Sequence, residues 1–172
     1  MFKSIFLPLI AVAAFITLVG LLSQGKFDSI LKRNEEANNS NAKVMRSNLK
    51  IIKIENTEIE VEVARTSEER SKGLGGRTSL AENSGMVFVF NQNSTPVFWM
   101  KDTKIPLDLI WINDNKIIGI DKNVPVEEGV ADKNLKKYPA PSAVDYVLEV
   151  NAGFSDKNSI KVGQSLSGLE QL

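Results

Sequence analysis

The chain of 172 residues contains no cysteine and no histidine. The absence of cysteine excludes disulfides, thiolate metal sites and a lipid anchor attached to a cysteine. The absence of histidine excludes Ser-His-Asp and Cys-His catalytic arrangements and the usual zinc sites. Any acid–base chemistry must therefore use Asp, Glu, Lys, Tyr or a bound ion. We expect no cofactor and no metal site.

The chain also lacks a surplus of charge of either sign. It has 21 Lys and Arg residues and 21 Asp and Glu residues, which gives a formal net charge of zero. Proteins that bind nucleic acids normally carry a basic surplus or a basic stripe. The composition therefore predicts that nucleic acid is not a partner.

The N-terminal segment, residues 1–25, is predicted to be a membrane anchor or a signal segment. The stretch from Ser4 to Gly25 contains no charged residue and has about the length of a spanning helix. A cleaved signal peptide would have a shorter apolar region with a small-x-small site just after it, whereas the alanines here lie inside the run. An uncleaved anchor is favoured, and a cleaved signal is the alternative.

Both alternatives predict export of the rest of the chain. An anchor gives a single-pass protein of the cell membrane with its globular part outside the cytoplasm, and a cleaved signal gives a secreted protein. Lys26, Lys32 and Arg33 follow the apolar run and oppose the positive-inside rule. A short N-terminal tail nonetheless usually stays cytoplasmic in single-span anchors, and we therefore retain the outside orientation.

Two further regions follow the apolar segment. Residues 26–48 include a run of Asn, Glu and Ser with almost nothing to bury, and they are predicted to form a flexible polar linker. Residues 49–172 are numerous enough for one globular domain with its own core. The linker would let this domain sample the space near the membrane.

Strand patterns dominate residues 49–172. Ile59, Val61 and Val63 alternate with glutamates, which is typical of a strand with one solvated face. Residues 86–90 are apolar at every position and are predicted to form a central strand. Closely spaced strands of this kind predict a mainly β domain, a small antiparallel barrel or a sandwich-like fold, with one or two short helices.

Local turn and capping patterns refine this prediction. Hairpins are expected around Asn56–Thr57 and around residues 113–115, where turn-forming residues separate apolar runs. Thr66 followed by Glu69 has the spacing of a capping box, and Gly73 offers a C-terminal stop. Together these residues predict a helix of about two turns.

Two strands are predicted in the C-terminal part. The first directs Tyr146, Leu148 and Val150 inward, and residues 160–162 form a short last strand. The connection from Lys122 to Val144 is long and contains three prolines. Connections of that length are often functional lids or binding loops, and a mobile insertion is the open alternative.

Asp108 is the most informative polar residue within an apolar strand pattern. Alternation places it on one face with Ile110, and a carboxylate there is costly unless it is paired or hydrogen-bonded. Arg77 is the preferred partner because a guanidinium group matches a carboxylate in a bidentate way, and Arg70 and Lys101 are the other candidates. The alternative is a structural carboxylate that caps backbone N–H groups at a bend.

Asp102 is a second polar position, between Lys101 and Thr103 and just after Trp99. Asp and Thr at a strand end commonly close turns through their side chains. The functional alternative is a polar pocket floor with Trp99 as an adjacent apolar platform. A pair formed by Asp102 and Asp108 would serve hydrolysis or bind a hard cation, although neither signal is specific. The candidate ligand-binding residues are Arg70, Arg77, Trp99, Lys101, Asp102, Thr103 and Asp108.

These motifs resemble those of the domain of unknown function 192 family. The residues that carry the resemblance are Arg70-Ser-Lys-Gly-Leu, Gly76-Arg77, Gly85-Met-Val-Phe-Val-Phe, Phe98-Trp-Met-Lys-Asp-Thr, Ile105-Pro-Leu-Asp-Leu-Ile and Tyr146-Val-Leu-Glu-Val-Asn-Ala-Gly. The resemblance covers about residues 49–166 and implies a small, mainly β, prokaryotic protein that is often exported or membrane-anchored. It implies no established activity.

The chain departs from the family pattern at three positions. Gly75, Asp102 and Gln164 stand where the family usually has Met, Asn and Asp. An Asn at position 102 would act as a hydrogen-bonding group and not as an acid. The resemblance therefore implies a recognition or architectural role at this position and leaves Asp108 as the candidate essential acid.

Three hypotheses about function follow from these features. The first is a membrane-tethered binding or accessory module outside the cytoplasm, with a small molecule, a glycan or an envelope protein as its partner. The second is a hydrolase or transferase that uses Asp carboxylates without histidine, with Arg77 or Lys101 stabilising charge. The third is a structural partner of another envelope protein. The first is favoured because the polar cluster lacks a complete catalytic set.

Overall fold

The computed structural model describes residues 32–33 and 49–172, and for residues 91–93 it describes the backbone alone. The chain from Asn48 to Leu172 forms one compact unit. The predicted anchor and nearly all of the predicted linker lie outside the described residues. Within the part that is described, no helix has the length and apolarity needed to cross a membrane.

Residues 49–172 fold mainly into strands. The strands are β1 (Lys50–Ile54), β2 (Thr57–Ala64), β3 (Ser84–Ser94), β4 (Val97–Phe98), β5 (Leu107–Asn113), β6 (Lys116–Val124), β7 (Tyr138–Pro139), β8 (Val144–Asn151) and β9 (Leu166–Ser167). The α-helices are α1 (Ser67–Lys72) and α2 (Phe154–Lys157), and two 3-10 helices span Asp132–Asn134 and Leu169–Gln171. The predicted mainly β class with short helices is confirmed.

Seven strands form one sheet in the order β6–β5–β8–β3–β2–β1–β9, and β4 pairs with β7 in a small second sheet. Neighbouring strands are antiparallel, with the exception of β2 and β3, which run parallel. A parallel pair needs a long crossover, and here α1 lies in the connection between the two strands. The strand predicted to be central, β3, lies between β8 and β2.

The large sheet curls until its two ends meet at the C-terminal segment. On one side, Lys53 and Ile54 of β1 pair with β9. On the other side, Ser165 forms an antiparallel bridge with Lys116 at the start of β6, and the Ile117 N–H donates to the carbonyl oxygen of Gln164 at 2.9 Å. Of the two predicted architectures, the barrel is therefore the closer description.

A hydrophobic cluster lies on each face of the sheet. The inner cluster includes Ile52, Ile54, Ile59, Val61, Val87, Ile110, Ile112, Ile117, Leu148, Val150, Phe154, Ile160, Leu166 and Leu169. The outer cluster includes Ala64, Leu74, Met86, Phe88, Met100, Ile105, Leu107, Leu109, Trp111, Val124, Tyr138, Val144 and Val147. The inward direction predicted for Leu148 and Val150 is confirmed, and Tyr146 packs against the same inner cluster.

The predicted turns and helix caps are present. Ile54 lies opposite Thr57, so the first turn consists of Glu55 and Asn56, one residue earlier than predicted. The N–H of Glu69 donates to the Thr66 hydroxyl at 3.1 Å, and the N–H of Thr66 donates to a Glu69 carboxylate oxygen at 2.9 Å. Both bonds of the predicted capping box are therefore formed, and α1 ends at Gly73.

One prediction about the C-terminal part is wrong. Residues 160–162 are not a strand, because the apolar side chain of Ile160 packs in the inner cluster without strand pairing, and the last strand is β9. The long connection from Lys122 to Val144 includes regular elements, and both alternatives for its role stay open. It contains the end of β6, a 3-10 helix and β7, and its residues Leu135 and Tyr138 are buried.

Candidate functional site

The Asp108 side chain is fully buried and accepts hydrogen bonds from three backbone N–H groups. Its Oδ1 accepts from Asn123 at 2.8 Å and from Gly153 at 3.1 Å. Its Oδ2 accepts from Ser155 at 2.9 Å. These bonds join β5 to β6 and to the start of α2. They match the structural alternative for Asp108, in which a carboxylate satisfies backbone donors.

Arg77 does not pair with Asp108, and this part of the prediction is wrong. Its guanidinium group forms a bidentate ion pair with Glu62 of β2, with N···O distances of 2.5 and 2.7 Å. The hydrogen bond from Arg77 to Glu62 raises the pKa of the arginine. The bidentate hydrogen bonding that motivated the prediction is present, but the carboxylate that lies beside Arg77 in the folded sheet is that of Glu62.

Arg70 is held in place by neutral acceptors. Its Nη1 donates to the carbonyl oxygens of Arg65 and Val89, and its guanidinium carbon lies 5.2 Å from the centre of the Phe90 ring. Among the described residues, no carboxylate forms an ion pair with Arg70. The guanidinium group of Arg70 is therefore fixed in direction, and no ion pair among the described residues neutralises its positive charge.

Three other predicted site residues lie in the turn after β4. Lys101 Nζ lies 2.5 Å from a carboxylate oxygen of Asp132, and this hydrogen bond raises the pKa of Lys101. The carbonyl oxygen of Asp102 accepts a hydrogen bond from the Gly76 N–H at 2.8 Å, and Asp102 has a φ of 54°. The Thr103 hydroxyl donates to the carbonyl oxygen of Lys101 at 3.2 Å. The turn-closing alternative accounts for these contacts.

Trp99 is half-exposed at the surface of the same region, with 45% of its area accessible. Lys137, from the connection between β6 and β8, places its ammonium nitrogen 3.3 Å from the centre of the Trp99 ring. A cation over a Trp face is a favourable contact. Trp99 is thus a surface platform, as one alternative predicted, and part of the long connection covers it.

The most unusual polar group of the described chain is one that sequence analysis did not single out, Glu149 of β8. Its side chain is 6% exposed, and it is flanked in register by Met86 on β3 and Leu109 on β5. No described group donates a hydrogen bond to its carboxyl or forms an ion pair with it. Burial raises the pKa of Glu149 to about 8.

Glu149 lies at the floor of a cavity of about 260 Å³, which we call the Glu149 cavity. Its apolar lining includes Leu74, Phe88, Phe90, Pro96, Val97, Phe98 and Trp99. Its polar lining includes Ser67, Arg70, Ser71, Lys72, Lys101, Thr103 and Glu149. Four of the predicted site residues therefore line this cavity, namely Arg70, Trp99, Lys101 and Thr103.

The walls of the Glu149 cavity are fixed by packing of aromatic rings. The Phe98 ring makes edge contacts with Phe88, Phe90 and Trp111, with centroid distances of 5.0, 6.2 and 5.6 Å. Gly73 permits the close approach of α1, because a Cβ at this position would lie 3.3 Å from the Phe88 ring. The cavity is therefore bounded by rigid groups on two sides.

A wider, shallower cleft adjoins the Glu149 cavity and shares Ser71, Lys72, Trp99 and Lys101 with it. Asp102 lines this second cleft. The Asp108 side chain lies on the inner face of the sheet, and Arg77 forms its ion pair with Glu62 of β2. The structure thus brings five of the seven predicted residues to two adjoining depressions and leaves Arg77 and Asp108 outside them.

A sequence model of DUF192, a family described as "Uncharacterized ACR", matches residues 50–168. The chain belongs to the DUF192 family. This match covers the whole set of strands described above. No functionally curated protein is significantly similar to the chain in sequence.

Two solved structures are similar to this DUF192 domain. A protein of unknown function from Novosphingobium aromaticivorans DSM 12444 is 31% identical, with a TM-score of 0.62 over 69% of this chain and 84% of that chain. A protein from Sinorhizobium meliloti 1021, described as a candidate transcription regulator, is 29% identical, with a TM-score of 0.61 over 70% of this chain and 91% of that chain. Both similarities support the DUF192 fold.

The geometry limits the chemistry available to this DUF192 protein. Both oxygens of Asp108 are occupied by backbone donors, and Asp102 lies on the other side of the sheet, so the two do not form a carboxylate pair. No group of three or more acidic side chains in the described part of the chain has a metal-binding arrangement. Glu149 is a buried carboxyl group with no partner among the described residues, and it lines a cavity with aromatic walls.

Sequence analysis missed Glu149 because alternation along β8 placed it on the outward face. The available signal was the neighbouring strand, since β3 is apolar on both faces. A strand that is buried on both faces requires a second layer over the sheet, and that layer also covers the next strand in the sheet. In this DUF192 fold, α1 and β4 belong to that layer.

Proposed function

We propose that this DUF192 protein is a binding module for a small molecule, tethered to the membrane outside the cytoplasm, and that its ligand occupies the Glu149 cavity. The proposal rests on one observation, a buried carboxyl group with no partner in the described protein. Leaving such a group unsatisfied costs about 1–3 kcal/mol. A ligand that hydrogen-bonds with Glu149 would recover that free energy.

The character of the cavity supports binding. Ligand sites are typically concave and apolar, with a few polar groups that fix orientation. The Glu149 cavity combines aromatic walls with polar groups, and the buried carboxyl of Glu149 has no hydrogen-bond partner among the described residues. A purely structural partner of an envelope protein would be expected to pair its buried polar groups internally, as Asp108 does.

Catalysis is the second candidate function. A carboxyl group with a pKa of about 8 suits a general acid near neutral pH. The lining of the Glu149 cavity, however, contains no second carboxyl group, and Asp102 and Asp108 lie elsewhere. We therefore favour binding without chemistry.

The description of the Sinorhizobium meliloti relative as a candidate transcription regulator does not extend readily to this chain. Its equal numbers of acidic and basic residues give no basic surplus with which to contact phosphates. We therefore keep a small molecule, and not nucleic acid, as the proposed ligand.

The binding proposal can be tested with a fragment screen by NMR. The full chain, labelled with ¹⁵N and kept in detergent because of its apolar N-terminal run, is titrated with neutral, anionic and cationic single-ring compounds. Compounds that bind should shift the amide signals of Leu74, Phe98 and Glu149 together. The variant Glu149→Leu should lose this response, because it removes the buried carboxyl group that the ligand is proposed to contact.

The matched control is Glu60→Leu, which makes the same replacement at an exposed position of β2. This variant should bind the same fragments as the parent. If no fragment shifts the cavity signals, or if Glu149→Leu and Glu60→Leu bind equally well, the binding proposal is wrong.

The tether is supported by the uncharged run from Ser4 to Gly25 and by the polar residues after it. Intact spheroplasts of a bacterial host that expresses the full chain can be treated with protease. If the tether exists, the globular part should be digested from outside, and untreated protein should be found in the membrane fraction at full length. A shorter, freely soluble product would indicate a cleaved signal, and protection from protease would indicate the opposite orientation.

A further inference from the structure

We infer that the ligand of the Glu149 cavity is a single-ring carboxylate that carries a hydrogen-bonding group at its far end. Its carboxylate lies against Arg70 and Lys72, its ring packs against the aromatic wall formed by Phe88 and Phe98, and its far group hydrogen-bonds with the Glu149 carboxyl. This inference rests on the proposed binding function and names the class of ligand for that site.

The charges at the exposed end of the cavity favour an anion. Of the three cations in the lining, Lys101 is neutralised by Asp132. Arg70 and Lys72 form no ion pair with any carboxylate of the described chain. Arg70 is also fixed in direction by its bonds to backbone carbonyls, which lowers the entropy cost of binding a carboxylate.

The deep end of the cavity favours a neutral polar group. Desolvation by burial raises the pKa of Glu149, and neither Arg70 nor Lys72 forms an ion pair with its carboxyl. The strand neighbours that flank it, Met86 and Leu109, are apolar. Near pH 7 the carboxyl is therefore mainly protonated, and it presents one donor and one acceptor to the ligand.

An amine is a poorer match for the same site. Its ammonium group would approach past Arg70 and Lys72, which repel it. It would also have to ionise Glu149 in an apolar environment, at the cost of desolvating both charges. The cavity of about 260 Å³ is slightly smaller than typical drug-binding pockets of about 300–1,000 Å³, and this size fits one ring and not two.

The test compares three probes of the same shape. They are 4-(hydroxymethyl)benzoate, 4-methylbenzoate, which lacks the hydroxyl, and 4-(hydroxymethyl)benzylamine, which replaces the carboxylate by an amine. Binding to the ¹⁵N-labelled full chain in detergent is followed by NMR at pH 6.5. The hydroxymethyl carboxylate should bind about ten-fold more tightly than the methyl carboxylate, as expected for one lost hydrogen bond. The amine should not bind measurably in the cavity.

Variants and pH add independent measurements. Between pH 6.5 and 8.5 the affinity for 4-(hydroxymethyl)benzoate should fall about four-fold as Glu149 ionises. Glu149→Gln, which keeps a donor and an acceptor, should still bind and should lose this pH dependence. Lys72→Gln should weaken binding several-fold, while Lys161→Gln, at an exposed lysine far along the chain, should leave it unchanged.

Different experimental outcomes would contradict the inferred class of ligand and the proposed binding function. If the amine binds in the cavity more tightly than the carboxylate, or if affinity rises with pH, the class of ligand is wrong and the binding function stands. If none of the three probes binds, the inference is also wrong, and the fragment screen described above then decides the binding function by itself.

Discussion

The backbone N–H of Ser155 donates a hydrogen bond to the Asp108 carboxylate at 2.9 Å, although the two residues are 47 positions apart. The same carboxylate accepts from Asn123 and Gly153. Asp108 therefore supplies the acceptors that hold β5, β6 and the start of α2 together. Its position within an apolar strand reflects this role in the fold.

Replacement of Asp108 should destabilise the domain strongly. Asp108→Ala leaves three N–H groups without an acceptor, one of them buried and two partly buried, and the free energy of unfolding should fall by about 3 kcal/mol. Asp108→Asn should also be destabilising, because its amide nitrogen cannot accept a bond from an N–H group. Urea unfolding measures both effects.

The control for this experiment is Asp102→Asn. Asp102 is exposed and has a positive φ that Asn tolerates equally well, so the change in stability should stay within about 0.5 kcal/mol. Equal stability of Asp108→Asn and the parent would contradict the structural role of Asp108.

Glu149 should make stability depend on pH. Its pKa is about 8 in the folded protein against an ordinary value of 4.5, so the folded state binds the proton more tightly than the unfolded state. The contribution of protonated Glu149 to the free energy of unfolding is fully present below pH 4.5 and is lost as pH rises to about 8. Since each pKa unit corresponds to about 1.4 kcal/mol, the total loss should be several kcal/mol.

The measurement is urea unfolding of the parent and of Glu149→Gln from pH 5 to 9. The variant should have a flatter dependence of unfolding free energy on pH, and Glu60→Gln should follow the parent. If the unfolding free energy of Glu149→Gln and of the parent changed with pH at the same rate, this result would contradict the raised pKa of Glu149.

The ion pair between Arg77 and Glu62 should make a modest contribution. Both side chains are about one-third exposed, and ion pairs of this kind typically contribute up to about 1 kcal/mol. A double-mutant cycle with Arg77→Ala and Glu62→Ala should therefore give a coupling free energy of about 0.5–1 kcal/mol. Arg77→Lys should lose most of this coupling because lysine cannot form the fork. A coupling of zero would contradict the observed geometry.

Gly85→Ala should disrupt the centre of the sheet. A Cβ at this position would lie 2.6 Å from the carbonyl oxygen of Glu149 and 3.1 Å from side-chain atoms of Leu148 and Val150. The backbones of β3 and β8 would have to separate, and overpacking of this kind typically costs about 1–3 kcal/mol. The unfolding temperature measured by circular dichroism should fall by several degrees. Ser84→Ala, at the adjacent and partly exposed position, should change it little.

Features set by neighbouring residues were predictable from the sequence. Alternation assigned Leu109 and Trp111 to one face of β5 and Ile110 to the other, because side chains alternate along a strand. The capping box of α1 was also predictable, since Thr66 and Glu69 act within one turn of helix. Of the seven predicted site residues, the five that lie at the two adjoining depressions come from α1 and the turn after β4.

Features set by distant residues were not predictable. The partner of Arg77 depends on which strand the sheet places beside it, and no local sign in the sequence indicates that this would be β2 with Glu62. The burial of Glu149 depends on a covering layer formed by residues more than forty positions away. The parallel pairing of β2 and β3 has no local signature either, because it follows from the path of the crossover.

The meeting of β9 with both ends of the large sheet has a consequence for how the protein is made. Residues 165–167 are synthesised after every other strand of the large sheet, yet they join the first strand to β6. One edge of the hairpin formed by β1 and β2 therefore stays unpaired until residues 165–167 have been made. During that interval the unpaired edge of β1 is open to pairing with another chain, and removal of residues 165–167 would leave that edge open in the finished fold.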